Sequence, residues 1–521
     1  MGREEGGRQK EDGLWEIPLT WQWVKMGDIS EIVGGGTPQT SDPANFGGSV
    51  PWITPADMSN HIDKFIAYGV RTISERGLEN SGARWLPKGT VLFSSRAPIG
   101  YVAIASEPVT TNQGFKSFIP ENGIDPDFVY YWLVKAKPLA EKLASGTTFL
   151  EISGAKAALI PFPIAPRNEQ IRIVEKLEEL LSDLEAGVAE LKAAQKKLTQ
   201  YRQSLLKAAV EGTLTAEWRA EGAKRGEPLE TGAQLLERIL AERRRRWEEK
   251  QLAKFKEQGK TPPKDWRDKY PEPVKPSIAD LPELPDGWVW ATVDQLSLVV
   301  RGASPRPAGD PKYFGGNIPW ITVGSITADD NIYLDKVEQF VTEAGKKVSR
   351  YIEPETLLLT NSGATLGVPK ITRIGGCIND GSVALLEVDE PLKKYLYFFL
   401  TTQTKILRAL NQGAAQPNLN TDIVRRIVVP ICPLSEMVVI NNCLEIAIES
   451  VKQQQSAVIQ SLKQSSAQRQ NILKAAFSGQ LVPQDPNDEP ASVLLERIRA
   501  ERAARESGGR RRGRKAKEDA A

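Results

Sequence analysis

Pro18, Trp21 and Trp23 return as Pro285, Trp288 and Trp290, and the same offset of 267 residues carries Pro38 to Pro305, Gly146 to Gly413, Pro163 to Pro430 and Arg202 to Arg469. Leu205-Leu206-Lys207-Ala208-Ala209 recurs as Ile472-Leu473-Lys474-Ala475-Ala476, each followed at the same distance by a glycine, Gly212 and Gly479. One inserted residue shifts Phe46-Gly47-Gly48 and Pro51-Trp52-Ile53-Thr54 onto Phe314-Gly315-Gly316 and Pro319-Trp320-Ile321-Thr322. Solenoid units run to roughly 20 to 50 residues, so a period this long is a duplicated module of domain size. Any fold proposed for the first half must serve the second as well.

Within each module the pattern changes once, from strands to helix. Short apolar runs at Val50 to Thr54, Thr90 to Phe93 and Tyr101 to Ala105 are separated by Gly, Pro, Ser and Asn clusters, which predicts strands and turns. Helices are expected at Asp127 to Ala144 and, in the second module, at Pro391 to Leu410. After Pro166 apolar residues recur three and four apart at Val174, Leu177, Leu181, Leu184, Val188, Leu191, Leu198 and Leu205, a heptad seam. The second module repeats it with Asn441, Leu444, Ile448, Val451, Gln455, Val458, Leu462, Ser465, Arg469 and Ile472. A continuous helix over 168–210 would be about 65 Å long, too long for a small domain to hide. Two such helices in one chain are expected to pair antiparallel as an intramolecular coiled coil with pseudo-twofold symmetry, between two globular segments of the α+β class.

The resulting division is a globular segment over 14–166, a central spacer over 167–280 with a long helix 167–210 and a short helix 232–250, a second globular segment over 281–433, and a C-terminal spacer over 434–505. That last spacer holds a long helix 434–477 and a short helix 490–505, and a basic disordered tail is expected over 506–521. The two short helices share Leu-Leu-Glu-Arg-Ile at Leu235 to Ile239 and Leu494 to Ile498, at an altered offset of 259. Thr261-Pro-Pro-Lys and Pro271-Glu-Pro-Val-Lys-Pro are expected to form extended linker.

Charge and cysteine content narrow the classes. The net charge of +2 conceals basic stretches at Arg243 to Lys269 and Arg510 to Lys517, which suit phosphate as well as plain solvation. Three cysteines, Cys377, Cys432 and Cys443, all lie in the second module and have no metal-ligand spacing, so neither a repeated disulfide framework nor a metal site is expected. No run of 18 apolar residues occurs, and the Met-Gly-Arg-Glu-Glu start has no apolar core for export; a cytoplasmic protein is expected. No Gly-x-x-x-x-Gly-Lys-Ser/Thr loop is present, and the single histidine, His61, rules out a duplicated His-based site. Gly34-Gly35-Gly36 precedes no helix and is expected to be a turn.

Taken in order, Gly36-Thr37-Pro38 and Ala303-Ser304-Pro305, Val50-Pro-Trp-Ile-Thr and Ile318-Pro-Trp-Ile-Thr, Ser95-Arg96-Ala97-Pro98-Ile99-Gly100, Asn112-Gln113-Gly114-Phe115 with Asn379-Asp380-Gly381, and the two Leu-Lys-Ala-Ala helix ends form a pattern. It resembles that of the specificity subunits of type I restriction-modification systems from about Leu14 to about Arg502. The resemblance implies two tandem target recognition domains, each followed by a helical spacer, in a chain that reads double-stranded DNA and has no catalysis or cofactor of its own. It further implies two modification subunits, which use S-adenosylmethionine to methylate one adenine in each half of a split site, and two restriction subunits that translocate with ATP and Mg and cleave. The chain has no Asn/Asp-Pro-Pro-Tyr/Phe motif of an adenine methyltransferase; Thr261-Pro-Pro-Lys only looks like one.

Base reading needs hydrogen-bonding groups on loops, with cations for phosphate. The candidates are Thr37, Gln39, Ser94, Ser95, Arg96, Thr111, Asn112, Gln113 and Lys116 in the first module and Ser304, Arg306, Thr360, Asn361, Ser362, Asn379 and Asp380 in the second. The Asn-Gln-Gly and Asn-Asp-Gly triplets also have the composition of plain turns, and both readings stay open. Because Ser94-Ser95-Arg96-Ala97-Pro98 becomes Thr360-Asn361-Ser362-Gly363-Ala364, two different half-sites are expected, with centres roughly 10 base pairs apart. Arg202 and Arg469 at equivalent seam positions need carboxylates, from the other helix or from a partner, because an unpaired buried charge is costly. With Lys207 and Lys474 they are candidate partner-docking residues. Two competing classes are a self-contained methyltransferase or nuclease, and a coiled-coil scaffold with two protein-binding domains.

Overall fold

The computed structural model describes residues 8–9, 14–146, 150–225, 230–409 and 419–518. Gly413, the counterpart of Gly146, and the Met1 to Glu5 segment lie outside the described residues. Two compact units form: unit 1 holds residues Met1–Lys192 and Ile459–Ala521, unit 2 holds Ala193–Val458.

Both spacer helices form where the heptads place them, the first over Arg167–Val210 and the second over Leu434–Phe477. Every apolar seam residue of the two helices is buried or half-buried. In unit 1, Leu177 and Leu181 share a core with Ile472, Leu473, Ala476 and Phe477, and Arg469 Nη1 meets Glu185 Oε1 at 2.7 Å. In unit 2, Leu206 and Ala209 share a core with Met437, Ile440 and Leu444. Within each unit, then, the start of one helix lies beside the end of the other, and the pair is antiparallel. Each unit therefore combines the globular domain and spacer start of one repeat with the spacer end of the other.

The globular domains keep one register under the 267-residue offset. Strand Ser30–Gly34 pairs antiparallel with Lys116–Pro120 so that Gly34 faces Lys116; strand Leu298–Arg301 pairs with Ser382–Leu386 so that Arg301 faces Val383. Each of these pairs belongs to a five-stranded sheet. Beside each sheet a long strand, Phe46–Ile53 or Phe314–Ile321, carries the same irregularity, between Phe46 and Val50 or between Phe314 and Ile318. One large helix covers each domain, Pro126–Leu143 and Leu392–Ala409, and brings Phe128 and Trp132 or Tyr395 and Phe398 into the core. Asp125 caps the first by accepting from the N–H groups of Asp127 and Phe128, which meets two of the unpaired amides at a helix start.

Spacer end and domain meet at matched junctions. Trp21 Nε1 donates to Glu169 Oε2 at 2.9 Å in unit 1, and Trp288 Nε1 donates to Glu436 Oε2 at 2.9 Å in unit 2. Both carboxylates are almost fully buried. The opposite spacer helix is closed in each case by a left-handed glycine, Gly479 (φ +65°) against Pro18 and Gly212 (φ +74°) against Pro285. A Cβ at Gly479 would stand 2.3 Å from Pro18 Cγ, so both backbone and space demand glycine there.

Two elements differ from expectation. The helix starting at Gly232 continues to Glu257, and the segment expected as plain linker is fastened at two points: Trp266 stacks on Trp247 of that helix at 5.9 Å, and Val274 N–H donates to Asp294 Oδ2 in the second domain at 3.0 Å. Apolar surface on Trp247 and Trp266 outweighs the extended preference of the prolines around them. The last helix spans Ala491–Glu518, beyond the short helix over 490–505 and into the expected tail; residues 519–521 lie outside the described set.

Candidate nucleic-acid interface

Three loops converge in each domain, and main-chain hydrogen bonds hold them together. In unit 1 Gly36 N–H donates to Thr111 O at 2.9 Å, Gly35 N–H to Phe115 O at 3.3 Å and Ser95 N–H to Gly114 O at 2.7 Å. In unit 2 Ala303 N–H donates to Ile378 O at 3.1 Å, Gly302 N–H to Ser382 O at 2.9 Å and Asn361 N–H to Gly381 O at 2.9 Å. The approach is close enough that a Cβ on Gly35 would lie 1.9 Å from Asn112 O, and one on Gly302 would lie 2.0 Å from Asn379 O. The Gly34-Gly35-Gly36 stretch is thus a packed crossing of loops.

The sequence candidates fall into two groups. Ser94, Ser95, Thr111, Thr360 and Asn361 are buried. Ser94 Oγ donates to Pro98 O and accepts from Tyr101 N–H, and Thr360 Oγ1 donates to Thr365 O and accepts from Val368 N–H, the same loop brace in both domains. Among the described residues, Ser95 Oγ and both side-chain polar atoms of Asn361 have no hydrogen-bond partner. As placed, these five shape the loops from beneath. Thr37, Arg96, Asn112, Lys116, Ser304, Ser362, Asn379 and Asp380 are half-buried, and Gln39, Gln113 and Arg306 are exposed. Asn112 Oδ1 accepts from Gly114 N–H at 2.8 Å, and Asn379 Oδ1 accepts from Ser382 Oγ at 3.0 Å, so both asparagines serve their turns.

The two rims differ in charge. In unit 1 Glu151 sits between Arg96 at 3.7 Å and Lys116 at 4.0 Å, and burial lowers the Lys116 ammonium from its ordinary range while Glu151 pulls it up. In unit 2 Ser304, Arg306, Asn379 and Asp380 line one cleft with Phe314 and Trp320. Ser304 Oγ donates to Asp380 Oδ1 at 2.6 Å, and Arg306 Nη2 donates to Oδ2 at 3.3 Å. The Ser304 hydroxyl, and after it Arg306, hold the Asp380 carboxyl below the usual carboxylate range. Sequence reasoning missed Arg301, whose Nε donates to Asp380 O at 3.1 Å, and Glu151. The signal for Arg301 was its alignment with Gly34; Glu151 had none, because only folding sets it between two cations.

Of the docking candidates, Arg202 Nη1 reaches Asp330 Oδ2 at 2.8 Å, whereas its counterpart Arg469 reaches Glu185 on the other spacer helix. Lys207 and Lys474 are exposed. Among the described residues, no helix is long and apolar enough to cross a membrane.

These features define a duplicated-domain protein in which two equivalent loop clusters carry different side chains on paired helical spacers. The family model described as the type I restriction modification DNA specificity domain matches residues 18–192 and again 285–462, and the chain belongs to that family. A specificity subunit of the type I enzyme MjaIX from Methanocaldococcus jannaschii is 43% identical over 170 residues, 32% of this chain and 39% of that protein. The HindI specificity subunit of Haemophilus influenzae matches over 42% of its length at 29% identity, so the chain aligns with less than half of either relative. The EcoDI specificity subunit of Escherichia coli is 24% identical over 96% of this chain and 99% of its own. A solved chain from work on complex assembly and conformational transition of the type I R-M system superposes with a TM-score of 0.63 at 16% identity, over 90% of this chain and all of that one. At that identity the likeness speaks for the fold.

Proposed function

We propose that this chain is the DNA-specificity subunit of a type I restriction-modification complex, working in the cytoplasm without catalysis of its own. It binds an asymmetric bipartite site, one half-site to each recognition domain, with the spacing set by the helical spacers. It directs adenine-N6 methylation by two modification subunits and cleavage by two restriction subunits, which hold S-adenosylmethionine, ATP and Mg. The observation that carries the reading is a constant frame with a changed rim: strand register and loop braces repeat at 267 residues, while Gln39 gives way to Arg306, Gln113 to Asp380 and Gly34 to Arg301. A frame that is copied while its surface donors and acceptors change is suited to reading two different sequences.

Within this reading the surface-facing candidates are Gln39, Arg96, Gln113 and Lys116 in unit 1 and Arg301, Ser304, Arg306, Ser362 and Asp380 in unit 2. Arg96, Lys116 and Arg301 suit phosphate. The test is to purify the chain with modification subunits and map methylated adenines on a library of random duplexes. A split, non-palindromic motif is the expected result. A complex that methylates without any enriched motif, or a complex whose DNA affinity shows no salt dependence, ends the proposal and favours a protein-binding scaffold.

A further inference from the structure

In unit 2 a guanidinium, that of Arg306, stands where unit 1 has the amide of Gln39. Arg306 is exposed, with 72% of its side chain open, yet one nitrogen donates to Asp380 at 3.3 Å. Asp380 is itself held from three sides: Ser304 Oγ donates to Oδ1, the Asp380 N–H donates back to Ser304 Oγ at 3.2 Å, and Arg301 Nε donates to its carbonyl. Both carboxylate oxygens therefore already have protein donors, which makes Asp380 a poor free acceptor for a base. What remains outward is the rest of the Arg306 fork. A guanidinium steadied on one side by a carboxylate presents its other N–H groups in a fixed plane, and that geometry matches the O6 and N7 acceptors of guanine in the major groove.

The equivalent positions of unit 1 make the contrast. Thr37, Gln39 and Gln113 stand where unit 2 has Ser304, Arg306 and Asp380. The turns that carry Gln113 and Asp380 are anchored alike: Asn112 N–H donates to Ile53 O at 2.9 Å and Asn379 N–H donates to Ile321 O at 3.1 Å. Gln39 and Gln113 are exposed primary amides, whose paired donor and acceptor match N7 and N6 of adenine.

We propose that Arg306 is a specificity-determining residue that reads one G·C pair in the half-site of unit 2, and that Asp380, fixed by Ser304, positions it. The equivalent position of unit 1, Gln39, reads an A·T pair. This rests on the DNA-specificity reading above. The competing role for Arg306 is a phosphate contact, which would carry no base preference.

The experiment uses the full chain assembled with modification subunits and libraries randomised in one half-site at a time, read by sequencing of methylated products. The wild-type complex should prefer G·C at one position of the unit 2 half-site. Arg306→Gln should lower methylation of that G·C site by roughly 5- to 150-fold, in line with the discrimination of one bidentate pair, and raise A·T at that position only. Arg306→Lys keeps the charge without the fork and should weaken the guanine preference, since an ammonium still donates to O6 and N7, while total binding stays within a few-fold. Asp380→Asn should relax the same position to a lesser degree and leave the unit 1 half-site unchanged. A uniform loss over all sequences with Arg306→Gln, or an unchanged motif, overturns the proposal while leaving the DNA-specificity reading intact. Absence of any motif with the wild-type complex overturns that reading instead.

Discussion

Unit 1 and unit 2 bury the same carboxylate against the same tryptophan, but they neutralise it differently. Glu436 receives Trp288, the Thr215 hydroxyl at 2.6 Å and the guanidinium of Arg219, which also donates to Gly212 O. Glu169 receives Trp21 and the amide of Gln484, both neutral donors. Burial pushes the Glu169 carboxyl up from the usual range, against the pull of those two hydrogen bonds. One duplicated junction has thus kept its geometry and changed its charge balance. Identical frames therefore do not imply identical energetics, and the difference is open to measurement.

The largest expected effect comes from removing the charged partner. Glu436→Ala should destabilise unit 2 by about 3–5 kcal/mol, because it breaks a pair whose carboxylate is fully buried and leaves the half-buried Arg219 without its counter-charge. Glu169→Ala should cost unit 1 only about 1–3 kcal/mol, the scale of an unpaired buried donor. Hydrogen exchange on the full chain resolves the two units, and equal losses would break the comparison. Next in size, Trp21→Phe and Trp288→Phe should each cost about 1–2 kcal/mol by leaving the carboxylate one donor short, with the larger loss in unit 1, where only one other donor remains.

A smaller effect concerns pH. Because the folded Glu169 binds its proton more tightly than the unfolded chain does, unit 1 takes up protons on folding, and its stability falls as pH rises from the unfolded to the folded pKa. Glu169→Gln should flatten that dependence above ordinary carboxylate values; a persisting slope in the variant would assign it to another group. Asp380 has the opposite sign. Its carboxyl is held low, so the contribution of the Ser304–Arg306 cluster is present above the unfolded pKa and is lost as pH falls through the folded one. Smallest of all, Arg301→Ala should reduce the slope of log affinity against log salt by about 1 without altering the motif. A changed motif would move Arg301 from phosphate to base.

Much of the frame could be read from residues. The 44-residue helices begin and end within a residue of where Pro166, Pro433 and the heptads put them, since a 3.5-residue apolar period is a direct statement about which face is covered. The rim was less legible. Ser94 and Thr360 are polar and loop-borne, as readers would be, yet both are fully buried and brace their own turns; composition does not distinguish a hydroxyl that faces a ligand from one that faces its own backbone. Glu151 became visible only once the chain brought distant loops together.

What the sequence determined alone was the duplication and the strand and helix types, because periodicity and offset are local or linear properties. What tertiary structure decided was ownership. The Leu205 to Ala209 end belongs with the second repeat's domain and the Ile472 to Ala476 end with the first. A heptad pattern says which face of a helix is covered, but not which domain covers its last turns. Which buried glutamate then meets an arginine is fixed by that exchange, since each carboxylate takes its remaining donors from the segment following the other repeat's helix.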